Sequence, residues 1–188
     1  MGLIIASKEI VNGLFGYGSF TSKDVEMTSD ALMFFGYGVI AFALVKIFAN
    51  FFFARDNTRT PFYISSFIVF LNVIISVSFF DKIGFLIIPI ATSVSTWIGV
   101  SLFLYILVKN NHLFLQKKLF DNTLKILISS LIMATVLFYV LNKYSNYLEY
   151  TYSLKSVYLL IIVGFVGTVY LLSCYLFGLL KIKNYKTN

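Results

Sequence analysis

Five long apolar stretches, residues 32–53, 62–80, 83–108, 124–141 and 157–180, limit what this chain can fold into. Each comes close to the roughly 20 apolar residues that a helix needs to cross about 30 Å of hydrocarbon. Backbone groups exposed to lipid have no water to bond, which leaves helices or a closed barrel. A barrel would alternate apolar and polar residues with period two, and these stretches do not. Composition agrees, with 59% hydrophobic and 12% charged residues against about half and about a quarter in soluble domains. The expected fold class is all-α: a polytopic membrane helix bundle of five complete spans with a partial helix before them.

That partial helix is "MGLIIASKEIVNGLF", residues 1–15. Lys8 and Glu9 interrupt it, and no basic leader or small-residue cleavage site accompanies it, so it is no signal peptide. It is too short to span, and reads as an interfacial segment or as the tail of a helix that starts upstream. Between the first two spans lies "FFFARDNTRTPFY", residues 51–63, where Thr60 and Pro61 are expected as an N-cap and a first helical residue. Pro89 falls inside the third expected span and would cost it a hydrogen bond, as a hinge or as a tolerated kink.

Orientation follows from lysine and arginine, which collect in cytoplasmic loops. Arg55, Arg59, Lys109, Lys117, Lys118, Lys125, Lys181, Lys183 and Lys186 fall on one side of the expected spans; Lys23, Lys82, Lys143 and Lys155 fall on the other. The C-terminus is therefore expected in the cytoplasm, with the 54–61 loop on the same side. Its arginines either read lipid phosphate or enforce topology. The tyrosines of "NKYSNYLEYTY" suit the opposite headgroup region.

Chemistry-bearing signals are sparse. Cys174 is the single cysteine and sits in a span, so it reads as a small buried filler. His112 is the single histidine, which leaves zinc without a ligand set and a nucleophile without a base. No phosphate-cradling or dinucleotide glycine pattern occurs, and Gly164 and Gly167 read as helix-packing surfaces. The net charge of +7 belongs to topology and not to nucleic acid. "HLFLQKKLF", residues 112–120, is either an interfacial helix or a plain loop. Lys46 stands out because it lies seven residues before the end of the first expected span, about 10 Å deep by helical rise. Such a lysine either snorkels or lines a cavity that handles anions.

The run "IVNGLFGYGSFTSKD", followed by "ALMFFGYGVIAFALVKIFANFFFARDNTRTP", resembles the MurJ (MviN) family of bacterial lipid II flippases. The match rests on an external loop motif, Leu14, Phe15, Gly18 and Phe20, then on Lys46, and then on a cytoplasmic loop motif, Phe53, Ala54, Arg55, Asp56, Thr58, Arg59, Thr60 and Pro61. It continues more weakly to His112, after which only the hydrophobic pattern agrees. Related polysaccharide and multidrug exporters lack the "ARDNTRTP" element. The resemblance implies a fourteen-helix architecture of two six-helix lobes and two further helices, of which this chain matches the end of the ninth helix through the fourteenth. Residues 1–120 are thus expected as part of the second lobe, and 121–188 as the two C-terminal helices, which in the family form a groove for the lipid tail, plus a basic tail. The cavity arginines of the family lie in helices that this chain does not match, so no residue is carried over for them; the resemblance also places a lysine at Lys46, which is the substrate-path candidate.

The implied function is that of a component of a lipid II flippase in the bacterial inner membrane. It would move an undecaprenyl-pyrophosphate-linked peptidoglycan precursor by alternating access, without covalent chemistry or cofactor. The expected partners are lipid II, the bilayer and the upstream helices of the same flippase, the chain reading as the C-terminal part of a longer protein. The alternatives are a membrane scaffold without transport, or a piece of another exporter of the superfamily.

Overall fold

A computed structural model describes residues 1–110 and 117–179. His112, the tail lysines and most of the 112–120 segment lie outside the described residues. The helices are α1 (Gly2–Ile5), α2 (Ser7–Phe15), α3 (Ser22–Phe53), α4 (Arg59–Ile83), α5 (Ile87–Lys109), α6 (Lys117–Lys143) and α7 (Lys155–Leu176), and no strand occurs among the described residues. Four helical runs are apolar and long enough to cross a membrane. The second, Arg59–Lys109, reverses at a short turn over Gly84–Leu86, where Gly84 takes φ 71°, and so provides two helices. The five expected apolar helices are all present.

The described residues form two compact units. One holds α3 from Glu26 onward with α4 and α5. There α4 and α5 run antiparallel, as shown by the Asn72 amide donating to the Thr92 hydroxyl across the pair at 2.9 Å. Lipid cannot satisfy such groups, so they bond within the hairpin, and Ser76 adds a bond to Asn72 at 3.1 Å. Close to the 54–58 turn, Phe52, Ile64, Phe103 and Leu107 form a buried cluster, with Phe48 against Phe103 at 6.0 Å between ring centroids. At the other end α5 reaches α3 through its donors: Ser93 donates to the Phe34 carbonyl at 2.8 Å and the Trp97 indole to that of Tyr37 at 3.0 Å. Gly38 permits this approach, since a Cβ there would stand 2.6 Å from the Ser93 hydroxyl oxygen. Outward faces carry exposed Val69, Phe70 and Val77.

The second unit holds α1, α2, the first turn of α3, α6 and α7. Ala6, Leu137, Leu141, Leu148, Leu159, Ile162 and Val166 form its core, placing the short N-terminal helices against the α6–α7 pair. Cys174 is buried, as a filler should be. Gly164 and Gly167 are not packing surfaces among the described residues, because a Cβ at either position meets nothing within 4 Å.

Helix ends depart from the apolar blocks for local reasons. α3 begins at Ser22 and not at residue 32, because Thr21 and Asp24 cap it: the Thr21 N–H donates to the Asp24 carboxylate at 2.8 Å and the Asp24 N–H to the Thr21 hydroxyl at 3.3 Å. At 1.5 Å per residue its 32 residues measure about 48 Å, more than a bilayer core needs. α4 begins at Arg59, so Pro61 is its third residue and Thr60 is no N-cap. α5 begins at Ile87, so Pro89 is again third. First-turn N–H groups have no partner within the helix, so neither proline costs a hydrogen bond and neither makes a hinge. α7 stops at Leu176 and not at residue 180, because Gly178 adopts φ 69° and the Leu179 N–H closes back on the Cys174 carbonyl at 3.0 Å.

Candidate functional site

The 54–61 motif is a tight reversal between α3 and α4, and its residue types follow from its backbone. Asp56 has φ 56°, the left-handed conformation that ends helices and that Asp and Asn tolerate better than other side chains. Around it the Asp56 N–H donates to the Phe53 carbonyl at 3.0 Å and the Asn57 N–H to that of Phe52 at 3.1 Å, which closes α3. Asn57 then opens α4: its side-chain oxygen accepts from the Thr60 N–H at 3.1 Å and its amide donates to the Thr60 hydroxyl at 3.0 Å. The capping side chain is thus Asn57, with Thr60 as its client. The Arg55 guanidinium lies 3.6 Å from the centre of the Phe51 ring, a cation–π contact. Arg59 and Pro61 line an open cavity of about 660 Å³ with Ala49, Phe53 and Phe62.

Lys46 sits two turns before this reversal and is exposed. With 3.6 residues per turn it shares a face of α3 with Ala43, Asn50 and Phe53, all exposed, whereas Val45, Phe48 and Phe52 face the α4–α5 cluster. Its ammonium therefore leaves the packed side of α3. The structure does not gather Lys46 and the loop arginines into one site.

The 12–21 segment is organised around a residue that charge counting treated only as a topological marker. Lys155, the first residue of α7, is 1% exposed. Its ammonium donates to the Gly16 carbonyl at 2.5 Å, the Tyr150 carbonyl at 2.8 Å and the Asn12 side-chain oxygen at 3.2 Å, which uses all three donors. The rings of Tyr17 and Tyr150 flank it at 4.4 and 4.5 Å. Of the external motif residues, Gly18 supplies a φ of 60° and Phe20 a carbonyl that accepts from the Tyr150 hydroxyl at 2.7 Å. Nothing in the periodicity marks Lys155. Its position at the start of an apolar helix is the only trace of it in the sequence.

Between α6 and α7 a groove of about 560 Å³ is walled by Val136, Val140, Ile161, Ile162 and Phe165, with Lys143, the last residue of α6, among its lining. Tyr158, also in its wall, stacks on Tyr147 with centroids 4.9 Å apart and planes 17° from parallel. The arrangement suits an apolar chain lying beside a cation. No group of three or more histidine, cysteine or carboxylate residues that could hold a metal occurs among the described residues.

Comparisons with known proteins agree over most of the chain. The profile of the family described as "Lipid II flippase MurJ" matches residues 1–161. The probable lipid II flippase MurJ of Rickettsia prowazekii (strain Madrid E) is 31% identical over 177 residues, which is 91% of this chain and 35% of that protein. The lipid II flippase MurJ of Thermosipho africanus (strain TCF52B) is 32% identical over 138 residues, 73% of this chain and 27% of that protein. Among solved structures, a lipid II flippase MurJ in an inward closed conformation superposes with a TM-score of 0.74 at 30% identity, over 94% of this chain and 34% of its own. The chain thus spans about a third of the length of these relatives. With its apolar helices it is a multi-pass membrane protein, and it belongs to the MurJ family of lipid II flippases.

Proposed function

We propose that the chain supplies part of the second lobe, and the last two helices, of a flippase that carries lipid II across the bacterial inner membrane by alternating access. The reading is supported chiefly by the likeness, across nearly the whole chain, to a lipid II flippase of solved structure. The α6–α7 groove takes the polyprenyl tail along its apolar walls, and Lys46 adds positive potential to the path of the pyrophosphate headgroup. The process makes and breaks no covalent bond, because a flippase moves its lipid by exchanging conformations. Residues 1–120 contribute to the moving lobe and 121–188 carry the groove.

A chimera tests this reading. These 188 residues, replacing the matching third of a full-length relative, are expected to restore growth to a strain depleted of its lipid II flippase. A chimera that reaches the membrane at normal levels and does not restore growth points instead to a scaffold.

The 54–58 turn and the C-terminus lie in the cytoplasm, and the 16–21 loop lies outside, as the bias of lysine and arginine requires. Single cysteines in a Cys174→Ser background check this orientation. Ser19→Cys and Asn146→Cys should react with an impermeant maleimide in intact cells, and Thr58→Cys only after lysis. Reaction of Thr58→Cys in intact cells would invert the topology.

A further inference from the structure

Lys155 is an ammonium enclosed by protein, and its described contacts are neutral groups alone: two carbonyls, an amide oxygen and two tyrosine rings. Its partners come from both sides of one junction. Asn12, Gly16 and Tyr17 belong to the end of α2 and the loop after it, and Tyr150 to the turn that precedes α7. Further bonds cross the same junction. The Asn12 amide, whose oxygen accepts from Lys155, donates to the Leu148 carbonyl at 2.7 Å. Ser156 donates to the Gly13 carbonyl at 2.5 Å and lies 2.8 Å from the Tyr17 hydroxyl. Phe20, held by Tyr150, is followed at once by Thr21, the residue that caps α3. Through Tyr150 the lysine is thus linked to the residue just before the Thr21 cap.

Gly16 is fitted to this cation. A Cβ there would lie 2.3 Å from the Asn12 side-chain oxygen and 3.0 Å from the Lys155 ammonium. Opening the junction would break all three hydrogen bonds of the ammonium together, and bonds to a charged group are the costly ones to lose.

We infer that Lys155 is a positioning residue for transport, a bolt that keeps the 12–20 segment seated on the start of α7 throughout the cycle so that the two move as one body. The role in transport rests on the flippase reading; the bolt itself does not.

A covalent substitute for the bolt provides the test. A Cβ on Gly13 would stand 3.4 Å from the Leu159 Cβ, close to the separation of about 3.5–4.5 Å that a disulfide requires. Gly13→Cys with Leu159→Cys, in a Cys174→Ser background, therefore staples the same junction without touching Lys155. In membranes carrying the 188-residue chain, Lys155→Met and, separately, Gly16→Ala are expected to speed labelling of the buried Leu148→Cys by an impermeant maleimide about tenfold, as local opening does. In the full-length flippase, Lys155→Met should lose complementation, the oxidised staple should restore it, and the staple with Lys155 intact should support normal growth.

Unchanged labelling or unimpaired growth in Lys155→Met overturns the bolt. A staple that forms without restoring growth shows that the lysine acts through its charge. A staple that blocks transport while Lys155 is intact shows that the junction must open. If the unsubstituted parent does not transport, the labelling arm still decides the bolt, and it is the flippase reading that fails.

Discussion

Lys46→Met, in a full-length flippase carrying this chain, is expected to reduce complementation about tenfold, equivalent to roughly 1.4 kcal/mol of lost stabilisation along the path, at unchanged membrane levels. Lys46→Arg should retain function. The reason is electrostatic: a cation in a partly dehydrated path attracts a pyrophosphate far more strongly than it would in water, and either basic side chain supplies it. The rival account is a snorkelling lysine. Lys46 lies seven residues from the end of α3 at Phe53, and a lysine stem can carry its ammonium most of the corresponding 10 Å or so. Snorkelling predicts the reverse outcome, with Lys46→Met harmless or slightly stabilising. Growth assays beside immunoblots of the membrane fraction separate the two, and wild-type growth of Lys46→Met would remove the residue from the substrate path.

Phe103→Ala should destabilise the α3–α4–α5 unit by about 3 kcal/mol, the lower end of what Phe→Ala costs in well-packed cores. The side chain is completely buried between the Phe48 and Phe52 rings, with centroids at 6.0 and 5.8 Å, and it also packs in a cluster with Ile64 and Leu107. In a bilayer the loss is one of packing rather than of transfer from water, since lipid tails are as apolar as the protein interior. Phe62→Ala serves as the control, because that residue is 67% exposed and packs in no buried cluster among the described residues. Thermal unfolding in detergent, followed by size-exclusion fluorescence, should show a clear fall for Phe103→Ala and none for Phe62→Ala. Equal effects would mean that the cluster does not organise the unit.

The helices were legible in the sequence because one strong constraint, hydrocarbon as solvent, acts on every residue of a span. Their ends were not, because local groups set them and hydropathy does not register these. The Thr21–Asp24 cap lengthens α3 by a stretch of polar residues, and a left-handed Gly178 cuts α7 short. Pro89 reads as disruptive only if its helix starts at residue 83 and not at Ile87, and Pro61 is the third residue of its helix and not the first because α4 starts at Arg59.

The 54–61 turn was recognisable as a motif, but the reason for it is conformational. Asp56 supplies a backbone angle and Asn57 a cap, neither of which requires a ligand. Lys155 was hidden for a different reason. Positive residues were sorted by side of the membrane, and burial of a lysine by a loop some 140 positions away is a tertiary outcome that no local pattern encodes.

The two bonds from α5 to the backbone of α3 also constrain how these helices can slide. Ser93 and Trp97 are four residues apart and read the carbonyls of Phe34 and Tyr37, three residues apart. A displacement of α3 by one or two residues would turn both carbonyls away. The Ser93 hydroxyl could fall back on a carbonyl of its own helix, as Thr92 and Thr96 do, but the Trp97 indole N–H would lose its partner, at a cost incurred before any new pairing forms. Only a shift near a whole helical turn, about 5.4 Å, would present carbonyls in a similar place. The α3–α5 contact therefore works like a detent: it resists small drifts and re-forms only after a step of about one helical turn.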